Sequence, residues 1–237
     1  MDTQGVRRPE ARVDLALPGG NGSLGNYWGT MPELGLQKAV ARGAAKGTSL
    51  PFILVMPVLN PDNRFYYDGS DIPGRPKMGT WLSQDVPDLA RANFHTFKSR
   101  EGWAFMGNSS GAFVGLKQVM EHPDRFRIAN GGETAPDSPL WKDYPAEMAR
   151  NDPGKLAREL IKTNGPEVYI NFQYGTKESA GALLEKFRRG HGRGPIKIDT
   201  WEIKGGDHNG RHYVRGLEEQ GLAALSEVMK GPVPNGR

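Results

Sequence analysis

A short apolar run, Trp103 to Met106, passes through Gly107-Asn108-Ser109-Ser110-Gly111 into a segment from about Ser110 to His122. That segment carries Phe113, Leu116, Val119 and Met120 at helical spacing and stops at Pro123. A strand that feeds a helix through so few residues needs a sharp, strained turn. Glycine at both ends of the pentapeptide removes the side chains that would strike neighbouring backbone. The chain is thereby committed to a strand–turn–helix unit with Ser109 at its apex. Serine is also a favoured helix N-cap, so Ser109 and Ser110 could simply cap the helix.

The rest of the chain repeats the alternation. Val13 to Leu17, Phe52 to Met56 and Trp103 to Met106 read as buried strands, with later strands at Arg127 to Ala129, Val168 to Phe172 and Ile196 to Ile203. Residues 86–97 predict an amphipathic helix presenting Val86, Leu89, Ala90, Phe94 and Phe97 after an Asp85 cap. Further helices are expected over 153–163, 179–189 and 212–230. Strands alternating with helices predict a layered α/β domain with a mostly parallel sheet. At 237 residues and 37% hydrophobic content the chain is expected to form a single domain over 1–237, with flexible ends at 1–12 and 231–237.

The 31 basic and 27 acidic residues are interleaved, leaving a net charge of +4. The densest basic stretch, Lys186, Arg188, Arg189, His191, Arg193 and Lys197, lacks interleaved aromatics and reads as a solvated loop, so no nucleic-acid partner is expected. The absence of cysteine excludes a disulfide framework, a thiolate metal site and a cysteine nucleophile. No run approaches the roughly 18–20 apolar residues of a membrane span, and the start, with Asp2, Arg7, Arg8 and Glu10, has no signal-peptide apolar region. The chain reads as soluble, with secretion open only if a targeting segment has been removed; oligomeric state is not legible.

A serine nucleophile at Ser109 requires a base and an orienting carboxylate, which on such a strand–turn–helix scaffold follow in the order serine, acid, histidine. His95, placed in the 86–97 helix, and His122, at a helix end, read as structural, and His191 falls in the basic stretch. His208, in Gly205-Gly206-Asp207-His208-Asn209-Gly210, is the preferred base; His212, near the start of the last helix, is the rival. Glu178, just past the strand at 168–172, is the preferred acid, with Asp207 as the alternative.

The oxyanion donors are expected to be the backbone N–H of Ser110 and that of Gly20, in Leu17-Pro18-Gly19-Gly20-Asn21-Gly22. A plain glycine-rich surface loop would look the same. No phosphate-binding glycine pattern and no metal-binding motif occurs; His208 and His212 have ligand spacing, but Gly210 interrupts a helix between them. No cofactor and no metal are expected. Aromatics around Asn26 to Trp28, and at Phe65, Tyr66, Tyr67 and Trp81, could line a pocket or act as packing anchors.

The segment from Phe105 through Gly111 to His122-Pro123-Asp124-Arg125-Phe126 resembles the esterase D and mycolyltransferase-like serine esterases. So do Trp81-Leu82 with Asp85 to Leu89, Asn151-Asp152-Pro153, Gly175-Thr176-Lys177-Glu178 and the loop at 205–208. The similarity spans roughly residues 13–229. The resemblance implies an α/β-hydrolase three-layer sandwich, here without the usual N-terminal antiparallel strands, and a triad falling on Ser109, Glu178 and His208. It implies a small-molecule, lipid or glycan ester as substrate. Pro18 stands where the family usually has histidine or an acidic residue, and Asp207 intervenes between the glycines and the histidine. An acyltransferase, with an alcohol replacing water, would use the same residues. A non-catalytic binding module of the same fold would have no chemical reason to keep all three.

Overall fold

Among the described residues six strands, every neighbouring pair parallel, form one sheet in the order β2-β1-β3-β4-β5-β6. They are β1 (Arg12–Leu17), β2 (Phe52–Val55), β3 (Trp103–Gly107), β4 (Ile128–Asn130), β5 (Val168–Gly175) and β6 (Ile196–Ile203). The computed structural model describes residues 10–20, 25–62, 65–136 and 139–230. Among these no strand precedes β1.

Helices cover both faces. In chain order they are α1 (Tyr27–Thr30), α2 (Leu36–Lys46), α3 (Met78–Thr80), α4 (Val86–Asn93), α5 (Ser110–Glu121), α6 (Pro145–Arg150), α7 (Pro153–Thr163), α8 (Gly181–His191), α9 (Gly210–Gly216) and α10 (Leu222–Val228). A parallel sheet must bury both faces. Val13, Leu15 and Leu17 of β1 therefore pack with Phe105, Val114, Leu116, Val119 and Leu160 on one side. Ala16 packs with Trp28, Leu36, Val40, Leu217 and Leu225 on the other.

The alternation of β1 sends Arg12 and Asp14 into that second face, where they are 1% and 0% exposed. Burial pushes the Asp14 carboxyl up to about 8, and neither of its oxygens has a hydrogen-bond partner among the described residues.

Several sequence expectations change. Residues 1–9 and 231–237 lie outside the described residues, but Ala11 exchanges backbone hydrogen bonds with His95 and Phe97, and Arg12 opens β1, so residues 11 and 12 are not a flexible end. β2 is half-buried throughout because it forms the sheet edge. The helix expected over 86–97 is displaced toward the N-terminus. α3 runs through a π-helical turn (Trp81–Asp85) into α4, which places Asp85 inside the helix without a side-chain cap. It ends at Asn93 because residues 95–97 leave to pair with Ala11; His95 is thus outside it, and Leu89 and Phe94 are 61% and 54% exposed.

The basic stretch is largely helical, not a loop: Arg188 and Arg189 pair with Glu185 along α8, and His191 ends that helix against Phe187. No described helix is long and apolar enough to cross a membrane.

Candidate active site

The turn between β3 and α5 holds Ser109 at φ 51°, ψ −130°, a conformation that costs a non-glycine residue on the order of 1–3 kcal/mol. The contacts explain both flanking glycines. A Cβ on Gly107 would lie 2.5 Å from the Gly111 carbonyl carbon, and one on Gly111 would lie 2.5 Å from the Pro18 carbonyl oxygen. The capping alternative fails for both serines. Ser109 makes no side-chain cap, and the Ser110 hydroxyl, buried, donates to Gly20 O at 3.2 Å.

The loop after β1 lies directly on this turn: a Cβ on Gly19 would be 2.8 Å from Ser109 Cβ. Gly20 adopts φ 72°, favourable only for glycine, and its carbonyl also accepts from Asn60 Nδ2 at 3.3 Å. Asn21 and Gly22 of the same sequence run lie outside the described residues.

Three consecutive residues hold the loop in place. Asn26 Nδ2 donates to Ala16 O at 2.7 Å and Pro57 O at 3.0 Å, and Trp28 Nε1 donates to Leu17 O at 3.0 Å. Between them, the Tyr27 hydroxyl accepts from Gly19 N at 2.8 Å and donates to Asn108 Oδ1. Trp28 and Tyr67 are buried packing anchors.

Glu178 follows β5 and His208 follows β6, the two strands at one end of the sheet. Glu178 Oε2 lies 3.0 Å from His208 Nδ1, while its Oε1 accepts from Gly175 N at 2.7 Å. The Tyr213 hydroxyl donates to the same Oε2 at 2.8 Å and sits 2.8 Å from His208 Nδ1. Burial first, and then the bond to Glu178, hold the Tyr213 phenol above its usual range, so it stays a donor. The carboxylate is nearly buried and the imidazole is 56% exposed, so the pair is anchored at its acid end and open at its histidine end.

The rival residues pair with each other. Asp207 Oδ1 lies 2.7 Å from His212 Nδ1 and also accepts from Asn209 Nδ2, while Asn209 caps α9 through His212 N. His212 lies in the first turn of α9, whereas His208 precedes the helix.

Because every strand is parallel, Gly19 and Gly20, Ser109, Glu178 and His208 all follow carboxyl ends of strands and share one edge of the sheet, where ligands bind in open α/β sheets. A Cβ on Gly210 would approach Trp28 at 3.7 Å, so the His208 loop leads back to the helix that holds Gly19 and Asn108. Among the described residues, Ser109 Oγ and His208 do not form a hydrogen bond. One turn into α5, Phe113 walls a cavity of about 410 Å³ with Pro136, Trp141 and Met148, and Lys155 and Arg158 border it. Sequence reading missed the roles of Tyr27, Asn108 and Tyr213; no motif marks them, since each acts through one hydrogen-bonding atom.

The family model Esterase, described as putative esterase, matches residues 27–192. No curated protein matches the sequence. Among solved structures, a ferulic acid esterase superposes with a TM-score of 0.71 at 16% identity, over 95% of this chain and 88% of its own. An S-formylglutathione hydrolase from Agrobacterium tumefaciens gives 0.68 at 18%, over 94% and 86%. MPT51 (FbpC1) of Mycobacterium tuberculosis gives 0.64 at 15%, over 94% and 91%. These likenesses show the α/β-hydrolase fold. With its match covering residues 27–192, more than half of its length, the chain belongs to this esterase family.

Proposed function

We propose that the protein hydrolyses carboxylic esters through an acyl-enzyme at Ser109. Ser109 Oγ attacks the ester carbonyl carbon as His208 Nε2 takes its proton. The resulting oxyanion is received by the backbone N–H groups of Ser110 and Gly20. The intermediate collapses, the C–O bond to the alcohol breaks, and His208 returns the proton to the departing oxygen. Water then attacks the acyl carbonyl, giving its proton to His208. Collapse releases the acid and restores the Ser109 hydroxyl. Glu178 orients the imidazole and stabilises the imidazolium formed in both halves.

The observation that carries this reading is the presence, on one sheet edge, of a strained serine and a carboxylate-bound histidine. The cavity beside Phe113 is not lined by Ser109 or His208, but Phe113 follows Ser109 by one helical turn, and the cavity's Pro136, Trp141, Pro145 and Met148 side would suit an apolar acyl or alcohol group. The test is turnover of p-nitrophenyl esters of increasing acyl length. Wild-type protein is expected to cleave them, with kcat/KM rising beyond the acetyl ester, and Ser109→Ala to lose turnover while Ser110→Ala retains much of it. Equal loss in both variants would refute Ser109 as nucleophile.

A further inference from the structure

We propose that Tyr27 is a positioning residue whose hydroxyl locks the loop after β1 onto the nucleophile turn, and so sets where the oxyanion donors point. The inference rests on the hydrolase reading above and deepens it. One oxygen atom joins the two backbone segments: it accepts the Gly19 amide at 2.8 Å and gives its proton to Asn108 Oδ1, on the residue before Ser109.

The support behind it is rigid. Asn26 and Trp28, its two neighbours, are bonded to the Ala16 and Leu17 carbonyls of β1, and Trp28 is buried with its ring tilted on Tyr27 at 4.8 Å. The hydroxyl is therefore presented at a fixed height above the strand ends.

The lock has a consequence for catalysis. Gly19 is the loop residue that abuts Ser109, yet its N–H is already committed to Tyr27. Among the described residues, Gly20 N makes no hydrogen bond. The Gly19–Gly20 peptide thus lies between two anchors, Gly19 N–H on Tyr27 before it and the Gly20 carbonyl on Ser110 Oγ and Asn60 Nδ2 after it, and its own N–H is the next donor left for a bound carbonyl oxygen. A donor displaced by even 1 Å from a developing oxyanion loses much of its effect. Burial raises the Tyr27 phenol above its usual value, which keeps the proton on the Asn108 bond at neutral and mildly alkaline pH.

Tyr27→Phe removes only the hydroxyl and leaves the ring against Trp28. The expected result is a fall in kcat of about ten- to a hundredfold on p-nitrophenyl acetate with KM within about twofold. Affinity for phenylboronic acid, whose tetrahedral serine adduct places an oxygen among the same donors, should fall by a similar factor. Asn108→Leu, which breaks the lock from the other side, should reproduce the kinetic loss, and the double variant should be little worse than either single one. An unchanged kcat, unchanged boronic acid affinity, or two independent losses that multiply would overturn the inference. A variant that merely loosened the fold would lower the melting temperature without this selective loss, also against it. If Ser109→Ala retains turnover, the hydrolase reading has failed; if only Tyr27→Phe is silent, the lock alone has failed.

Discussion

Glu178 holds His208 through a 3.0 Å contact between Oε2 and Nδ1, from a carboxylate anchored at its other oxygen by the Gly175 amide. The neighbouring Asp207 is turned away to His212. Glu178→Gln is therefore expected to lower kcat by about a hundredfold or more with little change in KM, because an amide cannot stabilise the imidazolium. Asp207→Asn should cost far less. Steady-state kinetics on both variants decide the acid; the larger loss at Asp207 would move it there.

The strain at Ser109 predicts an opposition between stability and activity. Glycine relaxes at a positive φ and alanine does not, so Ser109→Gly should melt higher than Ser109→Ala, by about 2–4 °C per kcal/mol recovered in a domain of this size, while both are inactive. Differential scanning calorimetry of the two variants measures this. Equal melting temperatures would mean the turn carries no strain.

Asp14 predicts a pH dependence of folding. Its carboxyl has a folded value raised to about 8, above the ordinary value of about 4 that it takes when unfolded. The unfolded chain then releases this proton first, so the group's contribution is fully present below about pH 4 and is lost as pH rises toward 8. Asp14→Asn cannot ionise and should flatten that decline. Urea denaturation at pH 5, 7 and 9 should show the variant gaining on wild type as pH rises. Parallel curves would exclude a buried neutral carboxyl at 14.

Central strand β3 was legible because a parallel sheet buried on both faces leaves an apolar segment there, whereas the edge strand Ile196–Ile203, read to the residue, shows itself by apolar residues alternating with Lys197, Asp199 and Glu202. Ser109 and its glycines were legible because the turn's steric demands fall on sequence neighbours. The pairing of Glu178 with His208 was readable from chain order, but Asp207 with His212 was not, since it depends on how Asn209 starts α9. α2 was missed although Gly35 and Gly47 bracket it and Leu36 and Val40 mark its buried face, because the other two buried positions are the small residues Ala39 and Gly43. The helix over 86–97 was misplaced because the chain leaves it to pair with Ala11, a contact some 85 residues away in sequence that no local pattern encodes.

The most direct test of the central claim is covalent labelling with a fluorophosphonate probe, followed by mass spectrometric location of the adduct in wild type, His208→Ala and His212→Ala. A serine hydrolase of the kind described carries the adduct on Ser109, loses labelling in His208→Ala, and keeps most of it in His212→Ala. An adduct on any other residue, or labelling that depends on His212 and survives the loss of His208, would contradict it.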